Sequence, residues 1–280
     1  MKKSVTAINA KETLDNLLRD ATLYRQIGEP SYGPWKKEDF RIRRSLSAIS
    51  SVFRLRQPYP LLLSLMRCYR EKILSKKNLE ATLWAVECFH FTFTAIAQRS
   101  SSGGISFMYA SWAQRLSNAT SEADRQKILL EIKQNLRARI PDKAEFVAGF
   151  KGLRYSDDFT KQKRVVRYAL ERIEDHLSES GVVANYDQMT IEHIAPQKPA
   201  SGAPSVSADH VAAIGNQLLC DNALQDKLQN KPFADKRNIL KGCGVAAAKD
   251  VVATTHWDNK AIEKRTDRLA NLAYDEIWRA

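Results

Sequence analysis

A chain of 280 residues that is 44% hydrophobic and 27% charged has globular composition and is long enough for one large or two modest domains. Its net charge of +12 favours a polyanionic partner, and because residues 181–280 hold 12 Lys+Arg and 12 Asp+Glu, the whole excess lies upstream of them. No run of about 18 apolar residues and no signal-peptide core occurs, so we expect a cytoplasmic protein that does not enter a membrane. None of the four cysteines belongs to a Cys-x-x-Cys pair, which excludes a zinc knuckle and a disulfide framework.

Helical periodicity extends from about Ala10 to His176, where apolar residues return every three or four positions. The Pro58-Tyr59-Pro60 segment predicts a helix that begins just after it. Asn78 is the predicted N-cap of the next helix, Gly103-Gly104 are predicted to interrupt the helical pattern, and Ser121 is predicted to open a further helix. Because no nucleotide-binding glycine loop occurs in this part, we expect a helical domain.

The densest basic cluster of the chain falls within this helical domain. A solvated basic surface and a surface that binds nucleic acid are both consistent with such a cluster. If the second interpretation holds, the cluster binds phosphates. Its members are Arg41, Arg43, Arg44, Arg54 and Arg56.

The pattern changes in residues 181–280. Residues 189–194 alternate like a short strand that ends before Pro196, and a loop rich in Pro, Ser, Gly and Ala follows. A second short strand is predicted over residues 214–219, and a helix from about Asn222. The order strand, loop, strand, helix predicts a small ββα module within a mainly α protein. Further helices are predicted over residues 233–240 and 258–278.

The Glu192-His193 pair at the end of the first strand is the candidate for chemistry. A glutamate beside a histidine is by itself more often structural than catalytic. Here the pair precedes a proline and a loop, and a Gly215-Asn216 step and an amide-rich helix lie beyond that loop. This arrangement can supply a base and ligands for a hard cation within one small unit.

Three stretches carry a resemblance to a known family: Thr190 to Gln197 (TIEHIAPQ), Ile214 to Leu219 (IGNQLL) and Leu228 to Arg237 (LQNKPFADKR). They resemble the C-terminal nuclease domain of the GmrSD-type modification-dependent restriction endonucleases, whose pattern runs roughly EHIxPQ, GNLTLL and N-S-x-L-x-N-x-x-F-x-x-K. The upstream helices and the closing Ile277-Trp278 are also similar to that family. The resemblance therefore covers most of the chain, with its most specific motifs in residues 190–237.

The resemblance implies a His-Me finger (HNH-like) endonuclease that hydrolyses DNA phosphodiesters with Mg²⁺ or Mn²⁺. His193 would be the general base, since an ordinary histidine pKa near about 6.5 suits that task. Glu192 would be a metal ligand, and Asn216 would order the loop as part of the catalytic machinery. An oxygen on the other imidazole nitrogen of His193 would fix the tautomer of the ring.

One position departs from the family pattern, because Gln225 stands where an asparagine ligand is usual. Gln225 carries the same amide on a longer side chain, and Asn222 or Asn230 could bind the metal in its place. Alternatively, the site has lost its affinity for metal. Asn216 could also be a simple turn former, and Glu192 an exposed strand residue.

The other histidines of the chain and the remaining cations of the module are weaker candidates for a functional role. Asp209-His210 is a second acid–histidine pair, but no proline follows it. His90, His176 and His256 lack a partner at useful spacing and are expected to be structural. Candidates for contacts with the scissile-strand phosphates, with a solvated helix face as the alternative, are Lys227, Lys231, Lys236 and Arg237.

Two functions from different classes remain open. The first is a metal-dependent DNA endonuclease of a defence or modification-dependent restriction system, working with a separate NTPase subunit that senses DNA modification. The second is a non-catalytic DNA-binding or assembly subunit that retains the finger as a scaffold, as Gln225 suggests. A toxin that cuts RNA with the same finger is a third possibility. The domains expected in each case are residues 1–180 and 181–280.

Overall fold

The computed structural model describes residues 7–33, 35–100, 103–178, 186–199 and 206–279. Contacts divide the chain into two compact units, residues 1–140 and residues 141–280. The described residues are mainly helical and contain two short strands, which confirms the mainly α class. None of the helices in these ranges is both long and apolar enough to cross a membrane.

The first unit is a set of helices around an apolar core. The core consists of buried leucine, isoleucine and aromatic side chains, and burial of this apolar surface is the main source of its stability. Within the unit, the third helix packs against the first and fifth, and the fourth packs against the second and sixth. The helices are α1 (Ala7–Gly28), α2 (Phe40–Ser47), α3 (Tyr59–Arg70), α4 (Lys76–Phe89), α5 (Gly103–Asn118) and α6 (Glu122–Arg137).

Local capping explains where these helices begin. Helix α4 begins at Lys76 because the Oγ of Ser75 accepts a hydrogen bond from the amide of Asn78, so the predicted Asn78 cap was wrong by one turn. The prediction that Ser121 opens a helix is confirmed, since its Oγ accepts a bond from the amide of Asp124. Gly103 begins α5, so the two glycines belong to a helix, and the described interruption of the helical pattern lies at residues 97–100.

The second unit places a two-stranded antiparallel sheet among helices. Strands β1 (Thr190–His193) and β2 (Gln217–Cys220) pair in a register that sets Glu192 opposite Leu218 and His193 opposite Gln217. Residues 214–216, predicted as strand, form a 3₁₀ turn instead, so β2 begins only at Gln217. The elements are α7 (Lys143–Lys151), α8 (Lys163–Leu177), β1 (Thr190–His193), α9 (Ala208–Ala212), β2 (Gln217–Cys220), α10 (Asn222–Leu228), α11 (Phe233–Leu240), α12 (Lys249–Ala253) and α13 (Asn259–Leu272).

The contact boundary at residue 140 lies upstream of the predicted boundary at residue 180. Helix α7 packs against α13, and α8 packs against β2. Both helices are therefore part of the unit that contains the Glu192-His193 strand. Residues 141–280 hold 20 Lys+Arg and 20 Asp+Glu, so the basic excess of the chain lies wholly in the first unit.

The turn before β2 requires a glycine. A Cβ on Gly215 would lie 2.1 Å from Thr266 Oγ1 and 2.6 Å from the carbonyl oxygen of Ile262, both on α13. Because such distances are far inside van der Waals contact, any side chain here would push α13 away from the turn. The glycine of the Gly-Asn step thus allows a helix to pack directly on the turn.

Candidate nuclease site

His193 lies at the end of β1, only 5% exposed. Its Nε2 is 2.8 Å from the carbonyl oxygen of Tyr155. Since a carbonyl oxygen can only accept, Nε2 must carry the ring proton, and Nδ1 is left with its lone pair. The amide of Gln197 faces Nδ1 at 3.4 Å. The neutral ring is therefore held in the tautomer whose Nδ1 can accept a proton.

The Tyr155 carbonyl is itself held in place. The backbone amide of Tyr155 donates a hydrogen bond to the carbonyl oxygen of Ala212 at 2.8 Å. The side-chain amide of Gln217, which faces His193 across the sheet, donates to the carbonyls of Tyr155 and Ala212 at 2.6 and 2.9 Å. Gln217 is fully buried, so these bonds form away from competing water. Gln217 and Gln197 complete the surroundings of His193, and the sequence analysis assigned a role to neither.

Burial lowers the pKa of His193 below its ordinary value of 6.5, because the charged ring would lose its solvation. The Tyr155 carbonyl and Asp157 oppose this shift, whereas Lys236 adds to it. Burial has the larger effect, so the ring is neutral at physiological pH. A neutral imidazole is the form that can act as a base.

Glu192 points to the opposite face of the hairpin from His193, as adjacent strand residues do. Its carboxylate is 6% exposed and pairs at 2.5 Å with Lys236, which is fully buried on α11. Burial raises the pKa of Glu192 and lowers that of Lys236, and their mutual attraction opposes both shifts. Lys236 also donates to the carbonyl of His193 at 2.6 Å. The pair therefore anchors β1 to α11, which corrects the prediction of an exposed Glu192 and of a phosphate contact at Lys236.

Asn216 fixes the loop that follows His193. Its Oδ1 accepts from the amide of Ala195 at 2.7 Å and from the indole of Trp257 at 2.8 Å. Its Nδ2 donates to the carbonyls of Ala195 and Val211. All side-chain hydrogen-bonding groups of this fully buried residue are satisfied, so Asn216 orders the loop through structure rather than by touching a substrate.

The predicted amide ligands make no described hydrogen bond to His193. Gln225 accepts a hydrogen bond from Thr190 at 2.6 Å, at the other end of β1 and on the Glu192 face. Asn222 is exposed at the start of α10, and Asn230 is exposed beyond its end. The described residues contain no group of three His, Cys, Asp or Glu side chains that could hold a metal. Glu192 and Gln225 are thus engaged on the face of β1 opposite to His193.

The other predicted phosphate contacts are spread over the two units. Lys227 and Lys231 are exposed, whereas Arg237 donates to the carbonyl of Val252 at 2.8 Å. In the first unit, three arginines of the predicted cluster are exposed and two are half-buried. The exposed ones are Arg41, Arg54 and Arg56, and the half-buried ones are Arg43 and Arg44.

Three of the other histidines, His90, His176 and His210, make contacts within the fold. His210 is bonded to Ser207 at 2.6 Å and to Glu263 at 2.8 Å, which links α9 to α13. His176 pairs with Glu276 at 2.9 Å within the second unit. In the first unit, burial lowers the pKa of His90 to about 3.

A cavity of about 680 Å³ adjoins the loop after β1. Gln197 lines it, together with Ser156 and Asp158 from the segment that follows Tyr155. Asn230 and the exposed His256 line another part of it. The side chain that faces Nδ1 of His193 therefore also borders an open space.

A histidine with a fixed tautomer at the end of a hairpin, beside a cavity in a helical unit, defines a hydrolase-type candidate site. A family model for the C-terminal domain of GmrSD restriction endonucleases matches residues 140–272. This match covers most of the second unit, and it agrees with the family that the motifs predicted. The match indicates a nuclease of a restriction system, with DNA as the substrate. A search of curated proteins gives no match to the chain.

Proposed function

We propose that the second unit is a DNA endonuclease in which His193 is the general base. The observation that carries this proposal is the hydrogen bond from Nε2 to the Tyr155 carbonyl, which leaves Nδ1 as the proton acceptor. The order of hairpin and following helix supports the finer assignment to the His-Me finger class. The packing of α10 on the Glu192 face of the sheet is the feature that fits this assignment least.

In this proposal, the chain's own residues prepare one proton transfer. A water molecule beside the DNA phosphate gives its proton to Nδ1 and attacks the phosphorus in line with the departing oxygen. Because the amide of Gln197 now faces Nδ1, that water enters when Gln197 turns towards the cavity that it lines. The Tyr155 carbonyl, held by Gln217, keeps the ring orientation and stabilises the imidazolium that forms.

A requirement for Mg²⁺ or Mn²⁺ belongs to the same proposal, and bound metal would stabilise charge on the phosphate. The described donors do not fit such an ion as they stand. Glu192 is engaged by Lys236, and the Oε1 of Gln225 is engaged by Thr190. No step of the reaction is therefore assigned to the metal. Titration of Mg²⁺ against chelator in the cleavage assay tests whether cleavage requires it.

The test is cleavage of supercoiled plasmid by wild type, His193→Ala and the control His176→Ala, with Mg²⁺, Mn²⁺ or EDTA. We expect His193→Ala to lose cleavage at least about 100-fold, since a general base contributes about 10² to 10⁴ in rate. His176 is exposed and lies outside the cavity beside His193, so His176→Ala should cut like wild type. Equal cutting by His193→Ala and wild type would refute the assignment. Because these nucleases are proposed to work with an NTPase subunit that senses DNA modification, modified plasmid and that subunit are included in parallel reactions.

The alternative function is a DNA-binding or assembly subunit without catalysis. The engagement of Glu192 and Gln225 in protein hydrogen bonds favours it. A ligand that binds the native state must raise its apparent stability. Absence of any metal-induced rise in melting temperature, together with tight DNA binding and no cleavage under all conditions, would support this alternative.

A further inference from the structure

We propose that a basic surface beside His193 binds the phosphodiester backbone of DNA. We call it the α8 basic surface and define it as Lys161, Lys163, Arg164 and Lys198. Its members lie in the second unit, and all four are exposed. The inference rests on the proposed function in one respect only, namely that a strand held here would pass the His193 loop.

Direct contacts connect this surface to His193. The Nζ of Lys163 lies 5.1 Å from the ring centroid of Tyr155, whose carbonyl binds His193. Lys198 follows Gln197, whose amide faces Nδ1 of His193. The two parts of the surface are tied together, because the Oε1 of Gln197 accepts from the amide of Asp157 at 2.7 Å. The backbone segments that carry these cations, at the start of α8 and in the loop after β1, are therefore the ones that contact His193 through Tyr155 and Gln197.

The local charge contrasts with the unit that carries it. The unit is neutral, with 20 Lys+Arg and 20 Asp+Glu, yet residues 159–170 contain four Lys+Arg and no Asp or Glu. One of the four, Arg167, donates to Met189 and Glu171 and is used within the fold. The acidic side chains nearest along the chain are Asp157 and Asp158, so the surface as a whole keeps a net positive charge.

Folding does not account for these cations. Among the described residues, the side chains of the α8 basic surface make no ion pair and no hydrogen bond, apart from the approach of Lys163 to the Tyr155 ring. Two of them occupy the first turn of α8, which carries no acidic residue. Since cations are mildly unfavourable at that position of a helix, their presence is better explained by a partner than by stability. A row of phosphates is the partner whose charge and spacing such a surface suits.

The test measures binding of a short DNA duplex to the full chain by fluorescence anisotropy in EDTA, over a range of salt concentrations. The test variant is Lys161→Gln/Lys163→Gln/Arg164→Gln. The control variant, Lys241→Gln/Lys260→Gln/Lys264→Gln, removes the same charge from exposed positions of the same unit. The slope of log Kd against log salt reports the number of phosphate contacts of the whole chain, at about 0.9 per contact. The difference in slope between a variant and wild type therefore reports the contacts that the variant has lost, because the contribution of the first unit is the same in both.

We expect the test variant to bind at least about 10-fold more weakly at 0.1 M salt and to lose about 2 to 3 from the slope, with the control unchanged. Equal changes in both variants, or none in either, would overturn the proposal. So would a loss of affinity for an RNA duplex without a loss for DNA. The readout does not depend on cleavage, so a binding loss in the test variant stands even if His193→Ala shows that the proposed chemistry is wrong. Matched melting temperatures of the two variants establish that both remain folded.

Discussion

Replacement of Lys236 by methionine tests whether the Glu192 carboxylate is a structural partner of Lys236 or is available to bind a metal. The substitution keeps a flexible apolar chain in the buried space of Lys236 but removes the ammonium that pairs with Glu192 at 2.5 Å. The carboxylate, 6% exposed, would then have to be buried as an unpaired charge or take up a proton. Protonation of Glu192 sets an upper limit on the electrostatic cost of removing the Lys236 ammonium.

That limit follows from the ordinary pKa of a glutamate, 4.5. At pH 7 the proton must be taken up about 2.5 units above this pKa, which costs about 3.4 kcal/mol at about 1.36 kcal/mol per unit. At pH 5 the same uptake costs only about 0.7 kcal/mol. The lost hydrogen bond to the His193 carbonyl adds about 1 kcal/mol at either pH. Lys236→Met should therefore destabilise the second unit by about 4 kcal/mol at pH 7 and by less than half of that at pH 5.

Hydrogen exchange of the β1–β2 amides measures this change, because a chain of two units need not unfold in one step. The double variant Glu192→Leu/Lys236→Met is the control and should recover most of the stability, since an apolar pair of similar size leaves no buried charge. A loss of stability that is the same at pH 7 and pH 5 would refute the reasoning. So would a double variant as unstable as Lys236→Met.

Three further predictions concern other parts of the chain. Gly215→Ala should destabilise the second unit by about 2 to 3 kcal/mol in thermal unfolding, because its Cβ would lie 2.1 Å from Thr266 Oγ1, whereas Gly242→Ala meets nothing within 4 Å and should be neutral. The free energy of unfolding of the first unit, measured with urea, should fall by about 2 kcal/mol between pH 6.5 and pH 5.0. The reason is that His90, the only histidine of this unit, has a folded pKa of about 3, so only the unfolded chain takes up a proton over this range. His90→Gln should remove most of that loss. The rising limb of the pH–rate profile for DNA cleavage should have its midpoint below 6.5, because burial lowers the pKa of His193, and a midpoint above 6.5 would contradict the assigned base.

The sequence predicted what local patterns determine. Periodicity identified the helical character of the chain, several of its individual helices and the two strands, although the second strand is shorter than predicted. Turn chemistry identified the start of the helix that Ser121 caps. The Asn78 cap failed because Ser75, three residues earlier, offers a side-chain oxygen in the same geometry. A capping residue competes with every similar residue within one turn, and only the register of the helix decides between them.

The surroundings of His193 were only partly predictable. An oxygen on the second imidazole nitrogen was expected, and the Tyr155 carbonyl supplies it. That contact could not be located from sequence, because every residue type carries a backbone carbonyl. The contact with Gln217 was partly predictable, because antiparallel pairing of the two strands places a residue of β2 opposite His193. Strand alternation predicts that Glu192 points away from the face of His193, but its pairing with Lys236 on α11 depends on tertiary packing.

The carbonyl that orients His193 belongs to a segment 38 residues upstream, before α8. A fragment of residues 181–280 would contain the histidine, the glutamate, the Gly-Asn step and the amide-rich helix, yet its imidazole would be free to rotate and to change tautomer. A fragment that begins at residue 141 would retain Tyr155, α7 and α8. The smallest piece of this chain worth expressing, or worth fusing to another DNA-binding domain, is therefore set by a backbone oxygen that lies outside the recognisable motif.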